Sequence, residues 1–403
     1  MKIGILGGTF NPIHKGHMNM ANYIKKSLNF DKVILMPTNI PPHKAAENLV
    51  DGVDRFNMCK LAAYNHDGIE VCDMELRRNG QSFTVDTLDK LKKTNPDDQF
   101  YLIMGSDMFL SFDMWYRFED IIKMAYLCVF SRTDEDVAGL KNQKKSLENL
   151  GAKVLIQDAP ILEMSSTEIR EKIFRKQDIS VYLDENVSKY IDVLQLYSGQ
   201  IDPKIALYER VIKENLSKSR YIHSKNVAKE SVRLGIIYGA NLNNAYISGL
   251  LHDVCKEKSD AYALQIFADS DIIFSGNTKH QKALWHSILG AAFVQNNLLI
   301  DDKDIINAIR YHTTARKGMS VLEETVYIAD LTSFERDYDD LEDVRKLADI
   351  SRSKCILKVL SFSLQKLIKK QTPICDDSWQ AYNYYSDLQL TSACDNKTDE
   401  EIN

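Results

Sequence analysis

Short apolar segments alternate with amphipathic helical patterns along the first half of the chain, and this alternation limits the fold more than any other feature. The predicted strands cover residues 2–6, 32–36, 69–71, 100–104, 126–130 and 153–156. Helical patterns lie between them, for example over residues 16–28, 53–64 and 85–93. Alternating strands and helices are typical of an α/β domain with a mostly parallel sheet, because each helix carries the chain back across the sheet.

The pattern changes at the segment Ser198-Gly199-Gln200-Ile201-Asp202-Pro203, where Gly and Pro interrupt the chain. Strand signals stop there, and helical patterns follow one another from residue 204 to about residue 385. The second half is therefore predicted to be all-α. A chain of 403 residues is expected to hold two or three domains. We predict domains over residues 1–198 and 203–388, followed by a polar tail over 389–403.

Charge and cysteine usage limit the classes of partner and compartment. The net charge is -6 and no long basic block stands out, which argues against nucleic-acid binding. The seven cysteines form no CxxC pair, as expected for reduced thiols. The chain begins with a strand-like segment, which leaves no room for a signal peptide, and no apolar stretch approaches the ~20 residues of a membrane span. We predict a cytoplasmic protein without membrane contact, and homo-oligomerisation is left open.

The loop after the first predicted strand reads Gly7-Gly8-Thr9-Phe10-Asn11-Pro12-Ile13-His14-Lys15-Gly16-His17. Backbone N–H groups of the paired glycines can point at a phosphate, and Gly16 lets the N-terminus of the next helix approach another. His14 and His17 are three residues apart, so both can lie on one side of the first helical turn. A plainer interpretation is that one histidine caps the helix and the other packs. The combination favours a phosphate-binding site.

This loop resembles the signature of the nucleotidyltransferase superfamily, and the first half as a whole resembles bacterial nicotinate-nucleotide adenylyltransferases. The segments that carry the second resemblance are residues 37–44, 82–88, 104–107, 115–116, 131–132 and 165–170. It implies a Rossmann-like domain that transfers AMP from ATP to nicotinate mononucleotide, giving deamido-NAD and pyrophosphate in NAD biosynthesis. Another acceptor, such as nicotinamide mononucleotide or phosphopantetheine, stays open. Asn11 stands where that family more often has Asp.

The same resemblance implies individual roles. The groups that neutralise the triphosphate, with Mg²⁺ beside it, would be His14, His17, Lys44 and Arg170. The other ATP-binding residues would be Gly7, Gly8, Thr9, Phe10, Gly16, Gly105, Asp107, Ser165, Ser166 and Thr167. The nicotinate nucleotide would be held by Thr84, Trp115, Tyr116 and Arg132, with Trp115 stacked on the ring. Ordinary core packing is the alternative for Trp115. Ser165 and Glu168 have the spacing of a capping box at a helix start.

Histidines and carboxylates recur in the second half, each in a predicted helix or at its end. They are His223, His252, Asp253, His286, His312 and Asp330. Adjacent helical residues diverge by about 100°, so His252 and Asp253 can serve two metals in one cleft. Four imidazoles and two carboxylates suit a pair of Fe or Mn ions better than a tetrahedral zinc. Two such ions favour attack on phosphorus. Unrelated core or surface histidines are the plainer alternative.

This ordered set resembles the HD-domain phosphohydrolases, above all the bacterial family that splits diadenosine tetraphosphate symmetrically into two ADP. The resemblance implies that the six residues bind the metals and that Lys256 steadies the attacked phosphate. The remaining phosphates would be held by Thr313, Thr314, Arg316 and Arg336. Ala315 and the segment Ser333-Phe334-Glu335 depart from the family's usual Gly and Glu-Pro-Gly-like turn. We predict a bifunctional enzyme. The alternatives for the second half are a regulatory nucleotide-binding module and a hydrolase of another nucleotide.

Overall fold

The structure is a computed structural model that describes residues 1–39, 48–78, 80–130, 137–157, 164–269 and 281–400, with side chains as far as residue 391. It divides into two compact units, Met1–Gly199 and Gln200–Asn403. Each unit is described separately below.

The first unit is built on a six-stranded parallel sheet with the strand order β3-β2-β1-β4-β5-β6. The strands are β1 (Lys2–Gly8), β2 (Lys32–Pro37), β3 (Ile69–Val71), β4 (Gln99–Gly105), β5 (Ala125–Phe130) and β6 (Val154–Gln157). Alternate strand residues such as Ile3, Ile5 and Leu102 form one core, and Leu6 and Leu35 are buried on the opposite face, as expected for a sheet that helices cover on both faces. Every predicted strand overlaps an observed one, so the predicted α/β fold with a parallel sheet is confirmed.

Eight helices accompany the sheet in the described part of this unit. They are α1 (Lys15–Ser27), α2 (Gly52–Ala63), α3 (Thr84–Thr94), α4 (Ser106–Leu110), α5 (Phe118–Met124), α6 (Val137–Asn149), α7 (Ser166–Phe174) and α8 (Glu185–Val193). The chain leaves β1 for β2 on one side, and β4 lies on the other side of β1. This change of direction opens a crevice outside the carboxyl ends of β1 and β4.

In its described residues the second unit contains helices and no strand, as predicted. Its helices are α9 (Pro203–Asn215), α10 (Lys218–Tyr238), α11 (Leu242–Leu251), α12 (Asp260–Asp269), α13 (Trp285–Asn297), α14 (Lys303–Tyr311), α15 (Val321–Thr332), α16 (Leu341–Ile350), α17 (Arg352–Lys369) and α18 (Asp376–Glu400). The last of these continues into the segment predicted as a polar tail. Among the described helices, none is both long and apolar enough to cross a membrane.

A glycine fixes the closest approach in this unit. A Cβ on Gly249 of α11 would lie 2.8 Å from the Cα of Ala228 in α10, which is too close for any larger residue. The two helices can therefore pack backbone to backbone. This contact sets the position of His252, three residues farther along the chain.

Candidate functional site

The strands that carry the predicted ATP residues end side by side. β1 ends at Gly8 and its neighbour β4 ends at Gly105, with Leu6 paired to Ile103. Ligands of parallel α/β sheets bind where the strand order reverses in this way, outside the carboxyl ends of the strands. Asp107 lies just beyond, exposed in the first turn of α4. The structure thus brings both glycine segments to one crevice.

The two histidines of the anion loop form a pair at the start of α1. His14 is the N-cap residue, and its backbone N–H donates to Nδ1 of His17 at 3.3 Å. The rings stack with their centroids 3.7 Å apart. A neutral imidazole whose Nδ1 accepts carries its proton on Nε2. His14 does stand at a cap, as the plainer interpretation held, and the same contact makes Nε2 of His17 a donor at the positive end of the helix.

Arg55 of α2, which no sequence pattern indicated, fixes the backbone of this loop. Its guanidinium donates to the carbonyl of Thr9 at 2.8 Å, and to those of Thr38 at 2.6 Å, Asn39 at 3.1 Å and Val50 at 3.2 Å. The side chain is buried, and this burial lowers the pKa of Arg55. Because the fork of donors is rigid, Arg55 ties the segment after β1 to the segment after β2.

Replacing Arg55 with lysine should therefore destabilise the first unit. A lysine ammonium cannot meet four separate carbonyls, and each buried carbonyl left without a partner costs about 1–3 kcal/mol. We expect a loss of about 3 kcal/mol in the free energy of unfolding, measured by urea denaturation, and a higher KM for ATP. Arg77→Lys on an exposed ion pair with Asp73 is the matched control. Equal effects of the two changes would contradict this role.

Asn11, the departure from the resembled family, has a structural role here. Its Oδ1 accepts from the hydroxyl of Tyr197 at 2.9 Å and from the N–H of Val50 at 3.3 Å. Its Nδ2 donates to the carbonyl of Asn48 at 3.1 Å. An aspartate could not make the last bond, because a carboxylate only accepts. The amide therefore closes a network that holds the anion loop.

The start of α7 lies against the same loop. The hydroxyl of Ser166 donates to the carbonyl of Pro12 at 3.0 Å, and Nη1 of Arg170 donates to the carbonyl of Asn11 at 2.8 Å. Nη2 of Arg170 bonds the hydroxyl of Thr167 at 3.2 Å. The structure thus brings α7, with its N-terminal N–H groups, to the loop that carries His14 and His17.

The predicted capping box of α7 is only half formed. Ser165 is the N-cap, and its side chain accepts from the N–H of Thr167 at 3.2 Å. The carboxylate of Glu168 instead lies 3.4 Å from the hydroxyl of Tyr182 and 3.6 Å from the ammonium of Lys172. The prediction that Glu168 completes the box is wrong, because these neighbours hold its side chain on the helix surface.

Of the residues predicted to hold the nicotinate nucleotide, Thr84 lies at the start of α3, and Trp115 and Tyr116 lie between α4 and α5. Thr84 is the first residue of α3, and the ring of the preceding Phe83 lies 4.7 Å from that of exposed Tyr116. Trp115 is half-buried against the core, with its ring 5.2 Å from that of Phe112. Core packing therefore accounts for part of Trp115. The fourth residue predicted for the nicotinate nucleotide, Arg132, lies outside the described residues, as does Lys44, which was predicted to neutralise the triphosphate.

All six predicted metal ligands of the second unit meet in one buried cluster. Asp253 lies at its centre and divides it in two. Its Oδ1 is 3.3 Å from Nε2 of His286 and 3.6 Å from Nε2 of His312. Its Oδ2 is 3.5 Å from Nε2 of His252 and 3.9 Å from Nε2 of His223. Asp330 joins the second group, with Oδ1 3.0 Å from Nε2 of His223.

This cluster fits two metal ions that share one carboxylate. Overlapping triads, one with His223 and one with His286, have ligand atoms within 4.8 Å of one another and share Asp253. Two of these ligand atoms, Nε2 of His252 and Oδ1 of Asp253, are buried and make no hydrogen bond, while Nε2 of His223 faces the carboxylate of Asp330. Buried polar atoms normally have a partner. Imidazole nitrogens and carboxylate oxygens are ligands of divalent metals, so cations bound in the cluster would supply the missing partners.

The pKa values of the cluster residues bear on metal binding. Burial and the neighbouring His312 lower the pKa of His286 to about 3, so this imidazole is neutral. Burial alone would raise the pKa of Asp253, but the imidazoles of His252 and His312 outweigh it and hold that pKa far below its usual range. Metals bind neutral imidazoles and ionised carboxylates. His286 and Asp253 are therefore already in the states that cations bind. Burial alone would lower the pKa of His223, but its hydrogen bonds with Asp330 and Glu335 outweigh it and raise that pKa to about 8, so a cation that binds there displaces a proton.

In three of the four imidazoles, a contact of the second ring nitrogen, Nδ1, fixes the orientation of the ring. Nδ1 of His252 lies 2.7 Å from the carbonyl of Gly249, and Nδ1 of His312 lies 2.7 Å from that of Ile309. His223 differs, because its Nδ1 lies 2.5 Å from the carboxylate of Glu335. These contacts place the proton on Nδ1 and turn Nε2 toward the cluster.

The predicted phosphate-binding residues are divided by the structure. Nζ of Lys256 lies 3.0 Å from Nε2 of His286, and the hydroxyl of Thr313 lies 3.0 Å from Nε2 of His312. Arg336 contacts the carboxylate of Asp330. Arg316 is instead bound by both oxygens of Glu323 at 2.7 Å, at the start of α15. The fork of Arg316 is thus already engaged, and its phosphate role stays a prediction.

Two family models match the chain. A cytidylyltransferase-like model matches residues 5–172, and an HD domain model matches residues 220–349. The "Probable nicotinate-nucleotide adenylyltransferase" of Clostridium tetani is 36% identical over 197 residues, which are 49% of this chain and 98% of that protein. The protein of the same name from Dictyoglomus thermophilum is 40% identical over 192 residues, covering 47% of this chain and 96% of that protein. The chain belongs to the nicotinate-nucleotide adenylyltransferase family.

The second unit of this adenylyltransferase family member contains an HD domain. A crystal structure of a "predicted HD superfamily hydrolase involved in NAD metabolism" from Clostridium acetobutylicum is 29% identical, with a TM-score of 0.45, and covers 47% of this chain and 99% of that one. The HD model matches a range that includes all six cluster residues, from His223 to Asp330. The chain therefore joins a nicotinate-nucleotide adenylyltransferase domain to an HD domain.

Glu335 of the HD domain should be needed for full metal affinity. Besides His223, its carboxylate accepts from Asn226 at 2.6 Å and from Ser333 at 2.8 Å, which fixes its position. Loss of such an outer partner typically lowers metal affinity roughly 10- to 100-fold. We expect that loss of Mn²⁺ affinity for Glu335→Ala, measured by titration calorimetry. Glu335→Gln, which still accepts, should retain most of the affinity, and exposed Asp337→Ala should change nothing.

Proposed function

We propose that the first domain transfers AMP from ATP to nicotinate mononucleotide and thereby makes deamido-NAD and pyrophosphate, a step of NAD biosynthesis. The family match carries this proposal, and the anion loop at the β1–β4 crevice supports it. The 5′-phosphate of the acceptor attacks the α-phosphorus of ATP, and pyrophosphate leaves. Because the attacking phosphate is already an anion, no general base is needed. The protein's task is to position the reactants and neutralise charge.

Each part of the crevice has a place in this reaction. The N–H groups after β1 and at the start of α1 would hold the triphosphate, with Nε2 of His17 donating to it. Arg170 and Lys44 would add positive charge, and Mg²⁺ would accompany ATP. Thr84 and the N-terminal N–H groups of α3 would meet the carboxylate of nicotinate.

The acceptor can be tested with purified protein, ATP and Mg²⁺, by following pyrophosphate release. We expect a higher kcat/KM with nicotinate mononucleotide than with nicotinamide mononucleotide. A carboxylate gains from the helix N-terminus, whereas the neutral amide does not. Equal or better use of nicotinamide mononucleotide would overturn the proposed acceptor. If phosphopantetheine were the only acceptor used, the proposal that the first domain acts on a pyridine mononucleotide would be overturned.

We further propose that the HD domain hydrolyses diadenosine tetraphosphate to two ADP with two Fe or Mn ions. The position of Asp253 between two imidazole groups carries this proposal, since binding without cleavage needs no site for two metals. The ions would neutralise phosphate charge and activate a water for attack on phosphorus. One water is consumed, and the central P–O–P bond is broken.

The chain's own residues complete the site around the ions. His223, His252, Asp253 and Asp330 would hold one ion, and His286 and His312 with Asp253 the other. Burial lowers the pKa of Lys256, whose ammonium lies beside both Asp253 and His286. It would bind the attacked phosphate, with Thr313 and Arg336 holding phosphate oxygens on either side.

The test is the release of ADP from diadenosine tetraphosphate by protein loaded with Mn²⁺ or Fe²⁺. We expect two ADP per substrate and no AMP or ATP. A metal-loaded protein that binds the dinucleotide and releases no product would support a regulatory module instead. Release of AMP and ATP instead would mean that the HD domain cleaves a phosphoanhydride bond of this dinucleotide other than the central one.

A further inference from the structure

A buried carboxyl group lies in the segment between β3 and α3 of the first domain. It belongs to Glu75, whose surface is only 6% exposed. Its Oε1 accepts from the hydroxyl of Thr87 in α3 at 2.8 Å, and its backbone carbonyl accepts from the hydroxyl of Ser82 at 3.2 Å. Both partners are buried as well. Glu75 therefore joins the segment before α3 to the helix itself.

Arg78 extends this network to the residue that precedes α3. Its Nη2 donates to the hydroxyl of Thr87 at 3.3 Å, and its Nη1 donates to the carbonyl of Phe83 at 3.4 Å. Its own carbonyl accepts from Nδ2 of Asn39 at 3.0 Å, shortly after β2. Because the guanidinium is planar and its donors are fixed, the two bonds hold Phe83 and Thr87 in a set arrangement. Glu75 and Arg78 thus meet at one hydroxyl and fix the first turn of α3.

The first turn of α3 carries groups that the proposed reaction needs. Thr84 is its first residue, and the side chain of the N-cap residue Phe83 cannot accept a hydrogen bond, so it does not occupy the N–H groups of this turn. The ring of Phe83 also lies 4.7 Å from that of Tyr116. Groups that bind a substrate must be held within about 0.5 Å of their working positions by the residues behind them. A shift of this turn would therefore displace Thr84 and the aromatic contact together.

We propose that Glu75 is a positioning residue for the acceptor: acting through Thr87, it holds the first turn of α3 where its N–H groups and Thr84 meet the nicotinate carboxylate. This inference rests on the proposed adenylyltransferase function and adds to it a residue that sets acceptor specificity. A carboxylate gains from a well-placed helix N-terminus, whereas a neutral amide does not. Loss of this placement should therefore weaken nicotinate mononucleotide more than nicotinamide mononucleotide. ATP, whose phosphates would lie at the loop after β1, should be little affected.

Glu75→Ala in the full-length protein tests this role. We expect KM for nicotinate mononucleotide to rise, and the preference for it over nicotinamide mononucleotide to fall, each roughly tenfold, because a small displacement of a binding group has effects of this order. KM for ATP should change by less than about twofold. Glu75→Gln should behave like unmodified protein. Burial raises the pKa of Glu75 against the opposing effects of Thr87 and Arg78, so burial favours the neutral form, and a neutral glutamine still accepts from Thr87.

Thr87→Val is the second variant, since it removes the shared hydroxyl and keeps the size of the side chain. It should reproduce the selective rise in KM, and exposed Asp89→Ala on the same helix should change neither KM. Tm verifies that each variant is folded. The inference is overturned if folded Glu75→Ala and Thr87→Val keep the normal KM and acceptor preference, if KM for ATP rises equally, or if Glu75→Gln is as impaired as Glu75→Ala. Failure of unmodified protein to use nicotinate mononucleotide would refute the proposed function, and this inference with it.

Discussion

Asp253→Ala should abolish ADP release from diadenosine tetraphosphate, with a loss on the order of 10³-fold or more. The carboxylate reaches both halves of the ligand cluster, through Oδ1 toward His286 and Oδ2 toward His252. It also offsets the positive charge of Arg220, 3.0 Å from Oδ2, and of Lys256. Without this carboxylate, the two cationic side chains and the imidazoles would lie together in a buried space with less compensating negative charge. We therefore expect neither metal ion to bind.

Metal analysis of the same preparations separates this explanation from a simple loss of fold. Asp253→Ala should contain almost no Mn²⁺ after loading and dialysis, whereas exposed Asp301→Ala should keep its metal and its activity. The first domain of Asp253→Ala should still form deamido-NAD at the normal rate. A variant that retains two Mn²⁺ ions and cleaves the dinucleotide would refute the assigned role of Asp253.

His17→Ala should lower the rate of deamido-NAD formation by about 10²- to 10³-fold, the usual cost of one donor aimed at charge in a transition state. Its Nδ1 is engaged by the N–H of His14, so the whole donor capacity of the ring lies at Nε2. The loss should fall mainly on kcat, because charge on the leaving pyrophosphate builds up during the reaction. Pyrophosphate release with varied ATP gives both constants.

His66→Ala is the matched control for this change. His66 lies in the same unit, with Nδ1 3.0 Å from Nδ2 of Asn22 and away from the loop. It should retain activity within about twofold, a difference of less than 0.5 kcal/mol. If His17→Ala kept normal kcat and KM, the stacked pair would be a helix cap and nothing more, as the plainer interpretation of the sequence held.

Local patterns predicted the elements of this protein well. The strand ending in Gly7-Gly8 and the helix beginning after His14 were placed to within two residues, because burial on both faces of a parallel sheet leaves a continuous apolar signal. The short helices α4 and α5 were not predicted, since five and seven residues are too few to show a 3.6-residue period. The histidines were found from their order along the chain, each in a predicted helix or at its end.

Contacts between distant residues account for what the sequence did not show. Arg55 meets Thr9 across 46 positions, and His223 meets Glu335 across 112. No local period encodes such pairs. An arginine on the buried face of α2 was the available signal for the first, since buried arginines are rare unless hydrogen-bonded. For Glu335, the departure from a Glu-Pro-Gly-like turn marked the segment but not its partner.

We propose two independent phosphate-handling sites on one chain, one that forms a phosphoanhydride and one that breaks one. The most direct test assays unmodified protein, His17→Ala and Asp253→Ala for both products, pyrophosphate and ADP. We predict that His17→Ala releases ADP at the normal rate and almost no pyrophosphate, and that Asp253→Ala does the reverse. If unmodified protein forms only one product, or if either variant loses both, the claim of two independent sites is contradicted.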